Sequence, residues 1–187
     1  MPVTIGAPPE SGFDNPIGLI TDCHRRIERF LAALLKLAEE HSDHPLSPEM
    51  AAALARALDY FRNAAPKHTA DEEESLFPRL RAQQGAELSA AMTALDRLHE
   101  QHAVAEAAHA AIDEIGRRWL ASGRIEAPAA AHLQERLREL SALYREHIQV
   151  EERDVFPLAA ARLDSRERRQ LGQEMAARRG TQYTERR

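Results

Sequence analysis

Two segments of this chain are near-copies of each other, and both carry side chains that bind metal ions. The first contains His68, Glu72, Glu73, Phe77 and Pro78. The second contains His147, Glu151, Glu152, Phe156 and Pro157, offset by 79 residues throughout. On an α-helix, residues i and i+4 share a face, so each segment aims one imidazole and one carboxylate at the same point. Two such pairs facing each other inside a helix bundle would make a carboxylate-bridged metal centre.

The repeat has a first half as well. His24 precedes His68 by 44 residues, and His102 precedes His147 by 45. The chain therefore reads as two helical hairpins, each giving a His from its first helix and a His-x3-Glu from its second. His24, His68, His102 and His147 are the candidate terminal ligands, and Glu72 and Glu151 the candidate bridges. Imidazole with carboxylate suits iron, manganese or zinc. Four imidazoles and two carboxylates would hold two metals joined by an oxo, hydroxo or water bridge, with a position left for a small molecule.

Other residues near the motifs have more than one reading. A single His-x3-Glu is common by chance in helical chains; the doubled element with matching Phe-Pro flanks is what singles these out. His99 lies three residues before His102 and is a candidate additional ligand, while His109 lies seven after it on the same face. Glu73 and Glu152 fit hydrogen-bond acceptors for ligand imidazoles, alternative ligands, or solvated acids. Glu28 and Glu106 stand four residues after His24 and His102, and fit imidazole partners, solvated acids or, less well, direct ligands. Tyr144 and Tyr60 fit packing residues or donors to a metal-bound oxygen. Phe77 and Phe156 fit an apolar wall over the centre. Cys23, the only cysteine, fits a small buried filler better than a ligand, because it points about 100° away from His24 on a helix. His41, His44 and His132 fall near helix ends and need no function.

The elements that must position these residues are helices. The chain has 187 residues, 43% hydrophobic and 29% charged, with only 8 Gly. Ala, Leu, Glu and Arg dominate, a helix-forming composition. Asn15-Pro16 and Ser47-Pro48 are helix starts, each a cap followed by Pro. Helix 1 runs from there to about residue 42, with His24 on its apolar stripe. Helix 2 spans about 48–83, kinked or broken by Pro66 just before His68, with a further irregularity at Pro78 after the motif. Helix 3 spans about 86–121, and helix 4 about 128–161, disturbed at Pro157. Asp164 and Glu167 cap a short fifth helix ending near Arg178. The expected fold is all-α: an up-down-up-down four-helix bundle over 15–162, an irregular segment over 1–14, and a short helix with a loose tail over 163–187.

Net charge is −5 with both signs interspersed, so no basic stripe points to nucleic acid. Nothing reads as a signal peptide or a membrane span, and one cysteine excludes an intrachain disulfide. A cytoplasmic protein is expected. The last helix could carry a homodimer or partner contact.

At these residues the chain resembles the hemerythrin-like family of His-His-Glu cation-binding helical bundles. The resemblance covers about residues 16–160: His24, His68-x3-Glu72-Glu73 with Leu-Phe-Pro, Gln101-His102, and His147-x3-Glu151-Glu152 with Val-Phe-Pro. It implies a non-haem diiron centre, with zinc or manganese less expected. The family's oxygen carriers have two histidines four apart on the third helix; here His99 and His102 are three apart. The implied function is binding or sensing of dioxygen, nitric oxide or peroxide. The alternative is an iron-sensing or iron-handling interaction module, and a structural zinc bundle is a third reading. Turnover would depend on the metal, since no acid–base dyad stands apart from the ligand set.

Overall fold

The computed structural model describes residues 11–42, 44–83, 85 and 89–184. Most of the segment expected to be irregular falls outside these residues. So do Asp43 in the first helix break and the expected start of helix 3 at 86.

Local chemistry starts the helices where the caps predict. The Asn15 side chain accepts from the Gly18 N–H and Pro16 opens α1 (Pro16–His41). Ser47 accepts from the Met50 N–H and Pro48 opens α2 (Pro48–Asn63). Each cap satisfies a backbone donor that the first helical turn leaves unpaired. The remaining long helices are α5 (Ser89–Ser122) and α6 (Ala127–Val150). Gly123 ends α5 with φ +68, a left-handed conformation that glycine adopts without penalty.

The helix expected over about 48–83 is four pieces. Pro66 has no N–H for the helical ladder, and α2 stops at Asn63 before α3 (Ala65–Ala70) begins. A π-helical turn, π1 (Asp71–Leu76), follows, then α4 (Phe77–Arg81). Helix 4 breaks likewise into α6, π2 (Glu151–Val155) and α7 (Phe156–Arg162). The prolines account for both π turns. In an α-helix, the rings of Pro78 and Pro157 would collide with the carbonyls of Glu74 and Arg153. Widening the turn relieves that collision. The Phe77 N–H reaches the Glu72 carbonyl and the Phe156 N–H reaches that of Glu151, five residues back in each case. The irregularity expected after the motif therefore lies inside it, on the glutamates themselves.

The four long helices pack as a bundle in which α1 meets α2 and α6, and α5 meets α2 and α6. This is the up-down-up-down order, and no strand occurs among the described residues. Two apolar clusters fill it. One holds Ile27, Phe30, Leu58, Phe61, Ile112, Trp119 and Leu137; the other holds Ile20, Leu76, Phe77, Leu95, Leu98, Val155 and Phe156. His24, His68, His102 and His147 all lie along the chain between a member of one cluster and a member of the other.

The fifth helix, α8 (Ser165–Arg178), is opened by a reciprocal capping box between Asp164 and Glu167. It lies against π1. Arg178 and Arg179 grip opposite oxygens of the fully buried Asp71, at 2.8 and 2.6 Å. Arg178 also donates to the Ser75 hydroxyl, and Arg79 pairs with Glu174 through its two terminal guanidinium nitrogens. Gly172 allows this docking to continue to the N-terminal segment: a Cβ there would lie 2.0 Å from the Phe13 carbonyl oxygen.

Asp71→Ala strands two partly buried guanidinium groups, and charged hydrogen bonds of this kind are worth about 1.5–3 kcal/mol each. Urea unfolding should show a loss on the order of 2–3 kcal/mol for Asp71→Ala but under about 1 kcal/mol for Glu174→Ala, whose pair is more exposed. Equal effects would mean that α8 is not held chiefly through Asp71.

Candidate metal centre

The two π turns and the two preceding histidines converge at mid-bundle. His24, His68, Glu72, His147 and Glu151 are at most 2% exposed and His102 is 9%. The Glu72 Oε1 lies 3.3 Å from His68 Nδ1 and 3.8 Å from His24 Nε2, while its Oε2 lies 3.3 Å from His102 Nε2. The Glu151 Oε2 lies 3.0 Å from His24 Nε2 and 3.4 Å from His147 Nε2. These approaches lack hydrogen-bond alignment. Both oxygens of each Glu, both nitrogens of His68, and the Nε2 atoms of His24, His102 and His147 are buried without a hydrogen-bond partner.

Nine buried donor or acceptor atoms converging without partners are what a metal site leaves when protein atoms alone are counted, because ligands point at the ion rather than at each other. The donors fall into two groups, each with its atoms within 4.8 Å of one another: Glu72, His102, His147 and Glu151; and His24, His68 and Glu72. Two donors held at about 2.1 Å from one ion are at most about 4.2 Å apart, so a modest contraction would close each group. Glu72 belongs to both groups, one oxygen to each side, as a bridge requires.

The rings are aimed from outside by the opposite hairpin. His24 Nδ1 lies 3.1 Å from Glu152, and His102 Nδ1 lies 2.6 Å from Glu73. Phe156 stacks on His24 and Phe77 on His102, at interplanar angles of 15° and 16°. The residue after each of Glu72 and Glu151, and the Phe before each Pro, thus serve the histidine of the other half. His147 Nδ1 takes a third partner, Gln101 Oε1, at 3.0 Å.

Several expectations need correction. His99 does not enter the cluster: its side chain is 69% exposed and its Nδ1 bonds Glu73 at 2.9 Å. Glu28 does not orient His24; it accepts from Arg25, which also donates to Glu152. Glu106 is not the partner of His102, whose outer nitrogen belongs to Glu73; it lines a cleft instead. The Tyr144 hydroxyl bonds His109 Nε2 at 2.9 Å, and Tyr60 bonds the Cys23 carbonyl oxygen. Cys23 is buried and its thiol accepts from Arg26; burial pushes its pKa up. In the sequence the paired prolines are the signal for the π turns; Gln101 stands in the Gln101-His102 pair, but no local spacing signals its bond to His147.

The electrostatics of the cluster favour cations. Burial pulls the His24 imidazole down, but the Glu151 and Glu72 carboxylates overcome it and push it up to about 10. The same competition, with Glu72 and Glu73, takes His102 to about 9. Burial takes His68 down to about 4 despite Glu72. Burial also raises both glutamates, yet the surrounding imidazoles hold Glu72 well below the carboxylate range and Glu151 below it. Glu72 and Glu151 are anions that draw in cations, and protons on His24 and His102 fill that role when no metal does.

An all-α bundle with imidazole and carboxylate donors gathered in its interior belongs to the metal-binding class of helical bundles. Residues 15–159 match the hemerythrin HHE cation-binding domain, and the chain belongs to that family. An uncharacterized protein of Haemophilus influenzae (strain ATCC 51907 / DSM 11121 / KW20 / Rd) is 30% identical over 90 residues. That match covers 48% of this chain and 50% of the relative, so the chain spans half the length of the curated protein it matches.

Glu73→Ala and Glu152→Ala free one imidazole each. Loss of such outer partners costs about 10–100-fold in metal affinity. Competition titration with a chelator should show that drop for both variants, with helicity by circular dichroism intact. Unchanged affinity would leave the two acids as surface charge.

Proposed function

We propose that this protein is a non-haem diiron protein that binds or senses a small oxidant or diatomic ligand: dioxygen, nitric oxide or peroxide. The observation that carries the reading is the set of unpartnered buried donors divided between two groups by Glu72. His24, His68, His102, His147, Glu72 and Glu151 are the proposed ligands. The fully buried Glu72 and Glu151 supply two negative charges that offset part of the charge of two divalent cations in a poorly solvated interior. Zinc or manganese would fit the same donors less specifically.

Bound iron would supply reversible redox chemistry and an affinity for diatomic ligands. The protein's own residues do the rest. Glu152 and Glu73 fix the tautomers of His24 and His102, leaving each Nε2 free to face inward. Phe77 and Phe156 exclude water on either side. The imidazole-rich donor set favours reversible binding over forcing oxidation, which supports binding or sensing rather than turnover. We take residues 15–162 as the working domain. The cytoplasm is its proposed location, supported by the single free, buried thiol at Cys23. Among the described residues no helix is long and apolar enough to cross a membrane.

Anaerobic purification from iron-replete cells, metal analysis and optical spectra test the reading directly. About two irons per chain, with a charge-transfer band that appears on adding dioxygen and reverses on removing it, are expected. One zinc, or a folded chain with no iron and no spectral response, would sink it.

The pKa shifts give a second expectation. His24 at about 10 and His102 at about 9 are protonated at neutral pH in the metal-free chain, and ligation requires both neutral. Metal binding near pH 7 should therefore release about two protons, measured by calorimetry in buffers of differing ionisation enthalpy. Affinity should rise with pH up to the 9–10 range. Stability of the metal-free chain should run the other way. The contribution of these raised imidazoles is complete below about 6.5 and is lost as pH climbs through 9–10.

A further inference from the structure

Beside the cluster lies a cleft of about 660 Å³ between α2–α3 and α5. Its walls are apolar, formed by Leu58, Phe61, Ala65, Pro66 and Ile112. It reaches His102, and it also reaches a polar pair that the metal ligands do not use: His109 and Tyr144. The His109 ring stacks on Phe61, with centroids 4.5 Å apart, and its Nε2 meets the Tyr144 hydroxyl at 2.9 Å. No partner among the described residues engages its Nδ1. Burial takes His109 down to about 4, so the ring is neutral at ordinary pH, with one donor and one acceptor nitrogen.

A diatomic ligand has only two heavy atoms and needs little more room than a water molecule, whose share of liquid volume is about 30 Å³. The cleft is far larger and falls in the range of sites for organic molecules, about 300–1,000 Å³. Its charged lining is mainly acidic: Glu73, Glu74, Glu106 and Asp113 against Arg62, which itself pairs with Asp113. An anion would be repelled there, and a neutral molecule would not.

We propose that this cleft binds a small, neutral, mostly apolar organic molecule with one hydroxyl or carbonyl oxygen, held by the His109–Tyr144 pair next to His102. The molecule would be a co-substrate or effector of the neighbouring metal centre. That role rests on the diiron reading, but the binding itself does not.

The test is a fluorine NMR titration of the full chain with 4-fluorophenol, 4-fluorobenzoate and 4-fluorotoluene, with metal content measured on the same samples. Saturable binding of 4-fluorophenol is expected, with 4-fluorobenzoate weaker by at least about tenfold. Ala103→Trp and Ala110→Trp fill the cleft from its exposed lining and should abolish binding while leaving helicity and metal content unchanged. His109→Phe should weaken 4-fluorophenol about tenfold and spare 4-fluorotoluene. No saturable binding, or binding that both tryptophan variants leave intact, overturns the proposal. Equal loss of both probes in His109→Phe overturns the role given to the pair. Probe binding by a chain that takes up no iron keeps the cleft and sinks the diiron reading. Iron uptake without probe binding does the reverse.

Discussion

The bundle is organised around a layer of buried polar atoms that cannot satisfy one another. Two carboxylates and four imidazoles lie between two apolar clusters, with nine of their atoms unpartnered. Each unsatisfied buried polar group costs about 1–3 kcal/mol, and more when it is charged. A chain of this size has only about 5–15 kcal/mol of net stability. Such a layer persists only if something other than protein compensates it. Protons on His24 and His102 compensate in part. Divalent cations would do so more completely, since they can engage several of these donors at once.

The rest of the fold reads as support for that layer. Each hairpin aims the histidine of the other: Glu152 and Phe156 hold His24, while Glu73 and Phe77 hold His102. This exchange ties the hairpins together at the point where neither has an apolar core to offer. The π turns are part of it. Widening the helix over Glu72 and Glu151 lets Phe77 and Phe156 precede a proline without a clash, and places both rings against the opposite imidazoles.

Much of this was legible because the sequence writes it twice. The doubled His-x3-Glu with Phe-Pro identified the hairpins, and the Asn15, Ser47 and Asp164 caps set three helix starts. Helical periodicity was enough for fold class because each long helix buries one continuous face. What stayed hidden depended on side-chain direction in three dimensions. His99 sits close enough in sequence to reach the cluster, yet its rotation on α5 turns it to solvent and Glu73. Glu28 and Glu106 stood at the favoured local spacing, but the acids that fix the rings come from more than 25 residues away, across the bundle. Local spacing names candidates; only the packing of the opposite hairpin chooses among them.

The two halves are not equivalent, and the inequality is concentrated on consecutive residues. Asp71, Glu72 and Glu73 project in different directions from π1: into the arginines of α8, into the cluster, and towards His102 and His99 on α5. The position matching Asp71 in the second motif is Val150, which packs against an apolar cluster and offers α8 nothing to grip. Outside the matching acids the partners differ too: Arg25, a permanent cation, backs Glu152, whereas His99 backs Glu73. The cleft lies beside the Glu73–His102 pair. A repeat that would by itself define a symmetric centre is therefore held fast on the face that meets α8 and left reachable on the face that meets the cleft. Chemistry that told apart the two proposed metals would need such a difference, and the residues flanking the motif supply one where the motif itself does not.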